Sequence, residues 1–378
     1  MPALDEILQQ KSAILEAKHL KRSLHDTIRT DGIRVKRDGR ELISFSCNDY
    51  LGLSQHPDVK AAAIQAIEKY GTGAGASRLV TGNHPLYDEL ETTLAHYKGA
   101  EAACIFGSGY LANTGIIPAL VSKNDLIIAD KLVHACIIDG AKLSGATLLR
   151  FAHNNLEHCR MLLEANAHEH HHTLIITETV FSMDGDRAPV QALARLAQEF
   201  GAWLMTDDAH GLGVLPHAMS PADIQMGTLS KGAGSYGGYA CGSKALVDYL
   251  KTAARSLIYS TGLPPADVAA SIAAIKIMAK DIDLVARPLE NARLFTSLLG
   301  LDPAGSAIVP LMLGENDTAL AASKLLEERG FLIAAIRPPT VPENTARLRF
   351  AFSALHEQKD IEALAAIIKE QGWACPAS

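Results

Sequence analysis

Ala202-Trp203-Leu204-Met205-Thr206-Asp207-Asp208-Ala209-His210-Gly211 is a short apolar run that stops at two carboxylates, an imidazole and a glycine. A run of this length with such an ending reads as a buried strand whose last residues carry chemistry. The next apolar run, IQMGT, closes on Thr228-Leu229-Ser230-Lys231-Gly232-Ala233-Gly234. Upstream the same rhythm recurs in ACIFG, DLIIAD, ATLLRF and TLIITET, with helical patterns between the runs. Strands alternating with helices from about Leu51 to Leu250 predict an α/β fold with a mostly parallel sheet flanked by helices. Ligands of such sheets gather at the carboxyl ends of the strands, so the polar clusters should meet in one crevice.

Outward from this block, the Ala-rich stretch after YSTGLPP is helical, and beyond about Asp281 the pattern resets to helix, strand, helix and the pair IRPPTVP and ARLRFAF. The 378 residues accommodate more than one unit. We expect an N-terminal helix with short strands over 1–47, a large domain over 48–280 and a smaller C-terminal α/β domain over 281–378. The first residues alternate apolar and charged positions at helical spacing, without the unbroken apolar stretch of a signal peptide or membrane span, which predicts a cytoplasmic protein. With 35 basic against 42 acidic residues and no basic run, neither nucleic acid nor a membrane is an expected partner. Cys47, Cys104, Cys136, Cys159, Cys241 and Cys375 form no C-x-x-C pair and read as reduced, mostly buried thiols. The run His168 to His172 lacks a Cys or carboxylate frame and reads as solvated loop histidines, so no metal is expected there.

Lys231 stands among small residues that let a planar group approach the backbone. An amine forms a Schiff base only when neutral, and burial lowers a lysine pKa in the needed direction. A carboxylate on a neighbouring strand end, Asp207, can keep a pyridine nitrogen protonated, so that the ring accepts the electron pair left at a substrate Cα. Together they predict pyridoxal 5′-phosphate (PLP) carried on Lys231, whereas either residue alone would read as a loop cap or a surface lysine. Phe106-Gly107-Ser108-Gly109-Tyr110 follows a strand and opens a helix, whose N–H groups suit a phosphate. Thr228 can add a hydroxyl. His134 could stack on the ring face opposite the lysine, or be a satisfied loop histidine.

Over nearly its whole length the chain resembles the α-oxoamine synthases. The resemblance rests on SFSCNDYLGLSQHP, GTGAGASRLVTGNHPLYDELE, FGSGYLAN, TETVFSMDGDRAPV, LMTDDAHGLGV, TLSKGAGSYGGY, LIYSTGLPP and IRPPTVPENTARLRFAFSALH. It implies a fold-type-I PLP-dependent transferase with a mostly parallel seven-stranded sheet. It also implies Lys231 as the Schiff-base lysine, Asp207 as the pyridine-nitrogen partner, His210 near the cofactor 3′ oxygen and His134 stacked on the ring. Gly109, Tyr110, Ser182 and Thr228 fall where the family contacts the cofactor, and Arg22, Asn48 and Arg349 near the substrate. Arg349 is the implied clamp for an amino-acid carboxylate, a task that suits a guanidinium fork. Ser260 and Thr261 match a segment that reaches the neighbouring subunit's phosphate, which implies a homodimer with shared sites. Tyr87 and Ala76 depart from the common pattern, which has His and Gly there.

Family members differ in their amino acid and acyl group while sharing the cofactor residues. IRPPTVPENTARLR favours the biotin-pathway member, which condenses L-alanine with a pimeloyl thioester of coenzyme A or of an acyl carrier protein. The alternatives are sisters such as the ligase that joins glycine to acetyl-CoA. A nicotinamide oxidoreductase would need G-x-G-x-x-G inside a first βαβ unit, but GTGAGA precedes the first strong strand. A non-catalytic scaffold on the same fold would have no use for Lys231, Asp207 and His134 together.

Overall fold

A computed structural model describes residues 3–17, 20–21, 24–215 and 220–373. Among the described residues the central sheet has seven strands, in the order Ala102–Phe106, Gly238–Gly242, Ile224–Thr228, Trp203–Asp207, Thr173–Glu178, Leu126–Asp130, Thr147–Phe151. Gly238–Gly242 runs antiparallel to both neighbours, and the remaining pairings are parallel. The mostly parallel seven-stranded sheet of fold type I is therefore present. Its parallel strands are near-continuous apolar runs because helices cover both faces.

Side chains alternate across a strand, so the two faces are lined by different residues. One face collects Ile127, Leu174, Ile176, Met205 and Met226 under the helix Gly109–Leu120. Leu126, Ile128, Ile175 and Leu204 lie on the other, with the helices Leu156–Asn166 and Val190–Glu199. A third apolar cluster packs the helices Leu86–Lys98 and Pro265–Lys280 against Leu51, Leu53 and Tyr239.

Towards the C-terminus, Ile308–Gly314, Ala346–Ala351 and Ala334–Ile336 form an antiparallel sheet, accompanied by the helices Ile282–Leu299, Asn316–Glu328 and Gln358–Glu370. The N-terminal strands Thr27–Asp31, Arg34–Arg37 and Arg40–Ser44 join this end of the molecule. Arg40–Ser44 pairs in parallel with Phe331–Leu332, and Phe45 enters the core of Phe295, Phe350 and Phe352. Cys104, Cys136, Cys159 and Cys241 are buried free thiols, and Cys47 is partly buried. Cys375 lies outside the described residues. His168 to His172 connect a helix to the strand Thr173–Glu178, and His172 stacks on Trp203 with ring centroids 4.9 Å apart. Among the described residues no helix is long and apolar enough to cross a membrane.

Candidate active site

Alternation decides which strand-end groups face one another. Met205 and Met226 point under the helix Gly109–Leu120, so Asp207 and Thr228, two residues on, point the same way. Glu178 follows Leu174 and Ile176 onto that face too. Asp208 turns to the opposite side, where Lys98 Nζ lies 2.6 Å from its Oδ2 and the Thr179 hydroxyl donates to Oδ1 at 2.6 Å. Asp207 is thus the crevice carboxylate and Asp208 a structural one.

Asp207 is buried and held from two sides. Asn113 Nδ2 donates to its Oδ2 at 2.8 Å, and the Ala209 backbone N–H to Oδ1 at 2.9 Å. Glu178 accepts the backbone N–H of His134 at 2.6 Å. Burial, reinforced by the neighbouring Asp207 charge, raises the Glu178 pKa well above the usual carboxylate range. His134 caps the helix Ala135–Ser144, and its ring is exposed at the crevice.

Lys231 Nζ lies 2.8 Å from His210 Nε2. Burial lowers the lysine pKa, opposed by the charges of Asp207 and Glu178. His210 is buried, with its Nδ1 2.7 Å from the Tyr50 hydroxyl. Burial first, then the charges of Lys231 and Arg349, push the His210 pKa far down, so the ring is neutral. The Tyr50 hydroxyl donates in turn to Asn48 Oδ1 at 3.2 Å. Burial raises the Tyr50 pKa to about 12, so the hydroxyl keeps its proton.

Arg349 arrives from the strand Ala346–Ala351, buried against this network. Its Nη2 donates to Asn48 Oδ1 at 3.2 Å, and its Nε to the Ser182 carbonyl. Asn48 and Arg349 are therefore brought together. Ser182 meets Arg349 through its backbone. Arg22 lies outside the described residues.

At the other end, Gly109 begins its helix hard against Thr228: a Cβ on Gly109 would come within 3.2 Å of the Thr228 Cβ. A side chain there would crowd Thr228 and Met226. The Thr228 hydroxyl lies 2.7 Å from that of Ser230 and donates to the Gly237 carbonyl at 2.8 Å. Tyr110 is half exposed, its hydroxyl bound to Asp139. Thr261 is exposed and pairs with Ser77, while the Gly262 N–H donates to the Ala76 carbonyl at 3.0 Å. Tyr87, one of the departures, is buried, accepts the Leu263 backbone N–H and packs under Arg78, whose guanidinium carbon lies 4.0 Å from the ring centroid.

These residues fit PLP. A buried carboxylate, oriented by an amide, lies near a lysine whose amine is biased towards neutrality. A helix N-terminus with a hydroxyl beside it offers N–H donors for a phosphate. Sequence reasoning does not single out Asn113, Tyr50 or Glu178. Asn113 and Tyr50 stand inside motifs that carry the resemblance, and the alternation of TLIITE already puts Glu178 on the face of Leu174 and Ile176.

A profile of the family described as aminotransferase class I and II matches residues 40–368. The 8-amino-7-oxononanoate synthase of Beijerinckia indica is 55% identical over 377 residues, which cover 97% of this chain and 98% of that one. Serine palmitoyltransferase from S. paucimobilis, solved with a bound PLP–myriocin species, superposes with a TM-score of 0.91 at 27% identity over 98% of each chain. The 8-amino-7-oxononanoate synthase from Francisella tularensis superposes at 0.75 with 29% identity, covering 88% of this chain and 98% of that one. By sequence and fold together the chain belongs to the class I and II aminotransferases, PLP-dependent enzymes of fold type I, on the branch of the 8-amino-7-oxononanoate synthases of the biotin pathway.

Proposed function

We propose that the chain condenses L-alanine with a pimeloyl thioester, releasing carbon dioxide and free thiol and giving 8-amino-7-oxononanoate. The observation that supports this reading most directly is the convergence of Lys231, His210, Asp207 and Arg349 on one crevice. When bound, PLP supplies a protonated ring that accepts the electron pair left at the alanine Cα. Asp207, oriented by Asn113, holds the proton on the ring nitrogen. Lys231, with its lowered pKa, serves first as the cofactor's attachment point and then as the base that takes the Cα proton.

Arg349 and Asn48 bind the alanine carboxylate, together with Arg22, and so set the Cα bonds relative to the ring. His134, whose ring is exposed at the crevice, would lie against the cofactor ring. The neutral His210 accepts a hydrogen bond at Nε2 from the Lys231 amine and so holds that amine in place in the crevice. Gly109, Tyr110, Thr228 and Ser182 would contact the cofactor. By its resemblance to the family, Thr261 would reach the phosphate of the neighbouring subunit in a homodimer, and the pattern of the N-terminal residues supports a cytoplasmic enzyme. The thioester is that of coenzyme A or of an acyl carrier protein.

The test is the visible spectrum of the PLP-reconstituted protein, titrated with L-alanine and with glycine before pimeloyl-CoA is added, beside Lys231→Ala. A cofactor band that responds to alanine in preference to glycine, and is lost in the variant, supports the reading. A preference for glycine moves the chain to a sister activity. Absence of a bound chromophore overturns the assignment.

A further inference from the structure

Outside the crevice lies a cluster of charged groups that the proposed reaction does not use. His153 is partly buried between two carboxylates, its Nδ1 3.0 Å from Asp130 Oδ1 and its Nε2 2.7 Å from Asp186 Oδ2. Asp130 is fully buried at the end of the strand Leu126–Asp130 and is further fixed by the Leu132 and Asn154 backbone N–H groups, each at 2.8 Å. Asp186 also accepts from Asn154 Nδ2 at 2.7 Å. The His153 ring stands edge-on to Phe181 with centroids 4.4 Å apart. Burial disfavours the charge on His153, but the hydrogen bonds to Asp130 and Asp186 outweigh it and push the pKa up to about 10.

Asp186 and Phe181 belong to one small hairpin. Val180 pairs with Arg187, the Phe181 N–H donates to the Asp186 carbonyl at 3.1 Å, and the Gly185 N–H to the Phe181 carbonyl at 2.8 Å. Its tip is wedged against the C-terminal unit. Gly185 has φ +73°, and a Cβ there would come within 2.1 Å of the Ile308 carbonyl oxygen. The Ser306 hydroxyl donates to the Gly185 carbonyl at 2.7 Å. The same tip supplies the Ser182 carbonyl that receives Arg349 Nε, and the Met183 carbonyl and Asp184 carboxylate that receive Arg347.

We propose that His153 is a positioning residue for amino-acid recognition: by bridging Asp130 to Asp186 it pins the Val180–Arg187 hairpin to the central sheet, and the hairpin sets the angle of Arg349 through the Ser182 carbonyl. His153 touches neither substrate nor cofactor in this scheme. It acts on the one arginine whose fork must match a carboxylate, where small misplacement is costly. The inference rests on reading Arg349 as the carboxylate clamp.

The experiment uses PLP-loaded enzyme and measures kcat, the KM for L-alanine, the KM for pimeloyl-CoA and the alanine titration of the cofactor band. His153→Ala is compared with Asp186→Asn, which leaves His153 and the buried Asp130 in place and decides the matter if the first variant does not fold. The alanine KM should rise on the order of tenfold in His153→Ala and less in Asp186→Asn, with the thioester KM and the unliganded cofactor band unchanged. In an Arg349→Lys background, His153→Ala should add little, because both changes act through the same guanidinium contact. An unchanged alanine KM in the folded variants, a parallel change of both KM values and kcat, or full additivity with Arg349→Lys overturns the proposal. A wild-type band that ignores alanine instead overturns the functional reading, and the proposal with it.

Discussion

His210 Nε2 sits 2.8 Å from Lys231 Nζ although burial holds the imidazole neutral. A neutral ring that accepts at Nε2 must carry its proton on Nδ1, which therefore donates to the Tyr50 hydroxyl 2.7 Å away. Tyr50 accordingly selects the tautomer. Tyr50→Phe should retain the cofactor band but lower kcat by about tenfold, since the buried Nδ1–H loses its acceptor at a cost of about 1–3 kcal/mol. Steady-state kinetics beside the absorption spectrum check this, and an unchanged kcat would remove the role given to Tyr50.

Asn113 orients Asp207 from inside the helix Gly109–Leu120. Replacing Asn113 with Leu keeps the branched outline of the side chain but deprives a buried carboxylate oxygen of its side-chain donor. Loss of that bond should cost about 1–3 kcal/mol, roughly ten- to a hundredfold in kcat if it is felt in the transition state. The expected spectroscopic sign is an altered pH dependence of the cofactor band. Wild-type kinetics and spectrum in the variant would count against an Asp207 that depends on Asn113.

His356 ties the two ends of the chain together. Its Nδ1 accepts the Ser353 N–H at 2.9 Å, its Nε2 donates to the Ser44 carbonyl at 3.1 Å, and its ring stacks on Phe45 with centroids 3.8 Å apart. Burial lowers its pKa from 6.5 to about 4. The folded state therefore binds this proton less readily than the unfolded chain. The stabilisation is complete above pH 6.5 and is lost as the pH falls through about 4, with about 3 kcal/mol at stake. Thermal unfolding between pH 7 and 4 should show His356→Gln losing less stability than the wild type on acidification; parallel curves would refute the assignment.

Much of this protein is legible along the chain. Runs such as LIIAD and TLIITE are apolar at nearly every position because parallel strands covered on both faces must be, which is enough to predict the sheet. Lys231 and Asp207 are legible because their chemistry depends on strand ends, and Glu178 could have been read from alternation. Contacts between distant parts of the chain are another matter. The Tyr50–His210 bond spans 160 residues and the Arg349–Ser182 bond 167. The pairing of Arg40–Ser44 with Phe331–Leu332 is likewise invisible to local patterning.

The sequence by itself determined the α/β class, the strand ends that carry polar clusters and the choice of Lys231 and Asp207 as candidates for the cofactor chemistry, because period and residue type are local properties. Only the tertiary structure decided that Asn113 holds Asp207, that Tyr50 supports His210, and that a histidine between two carboxylates ties the hairpin beneath Arg349 to the sheet. Those outcomes depend on which buried polar groups find partners once separate segments pack, and burial makes each such pairing mandatory without marking it in the local sequence.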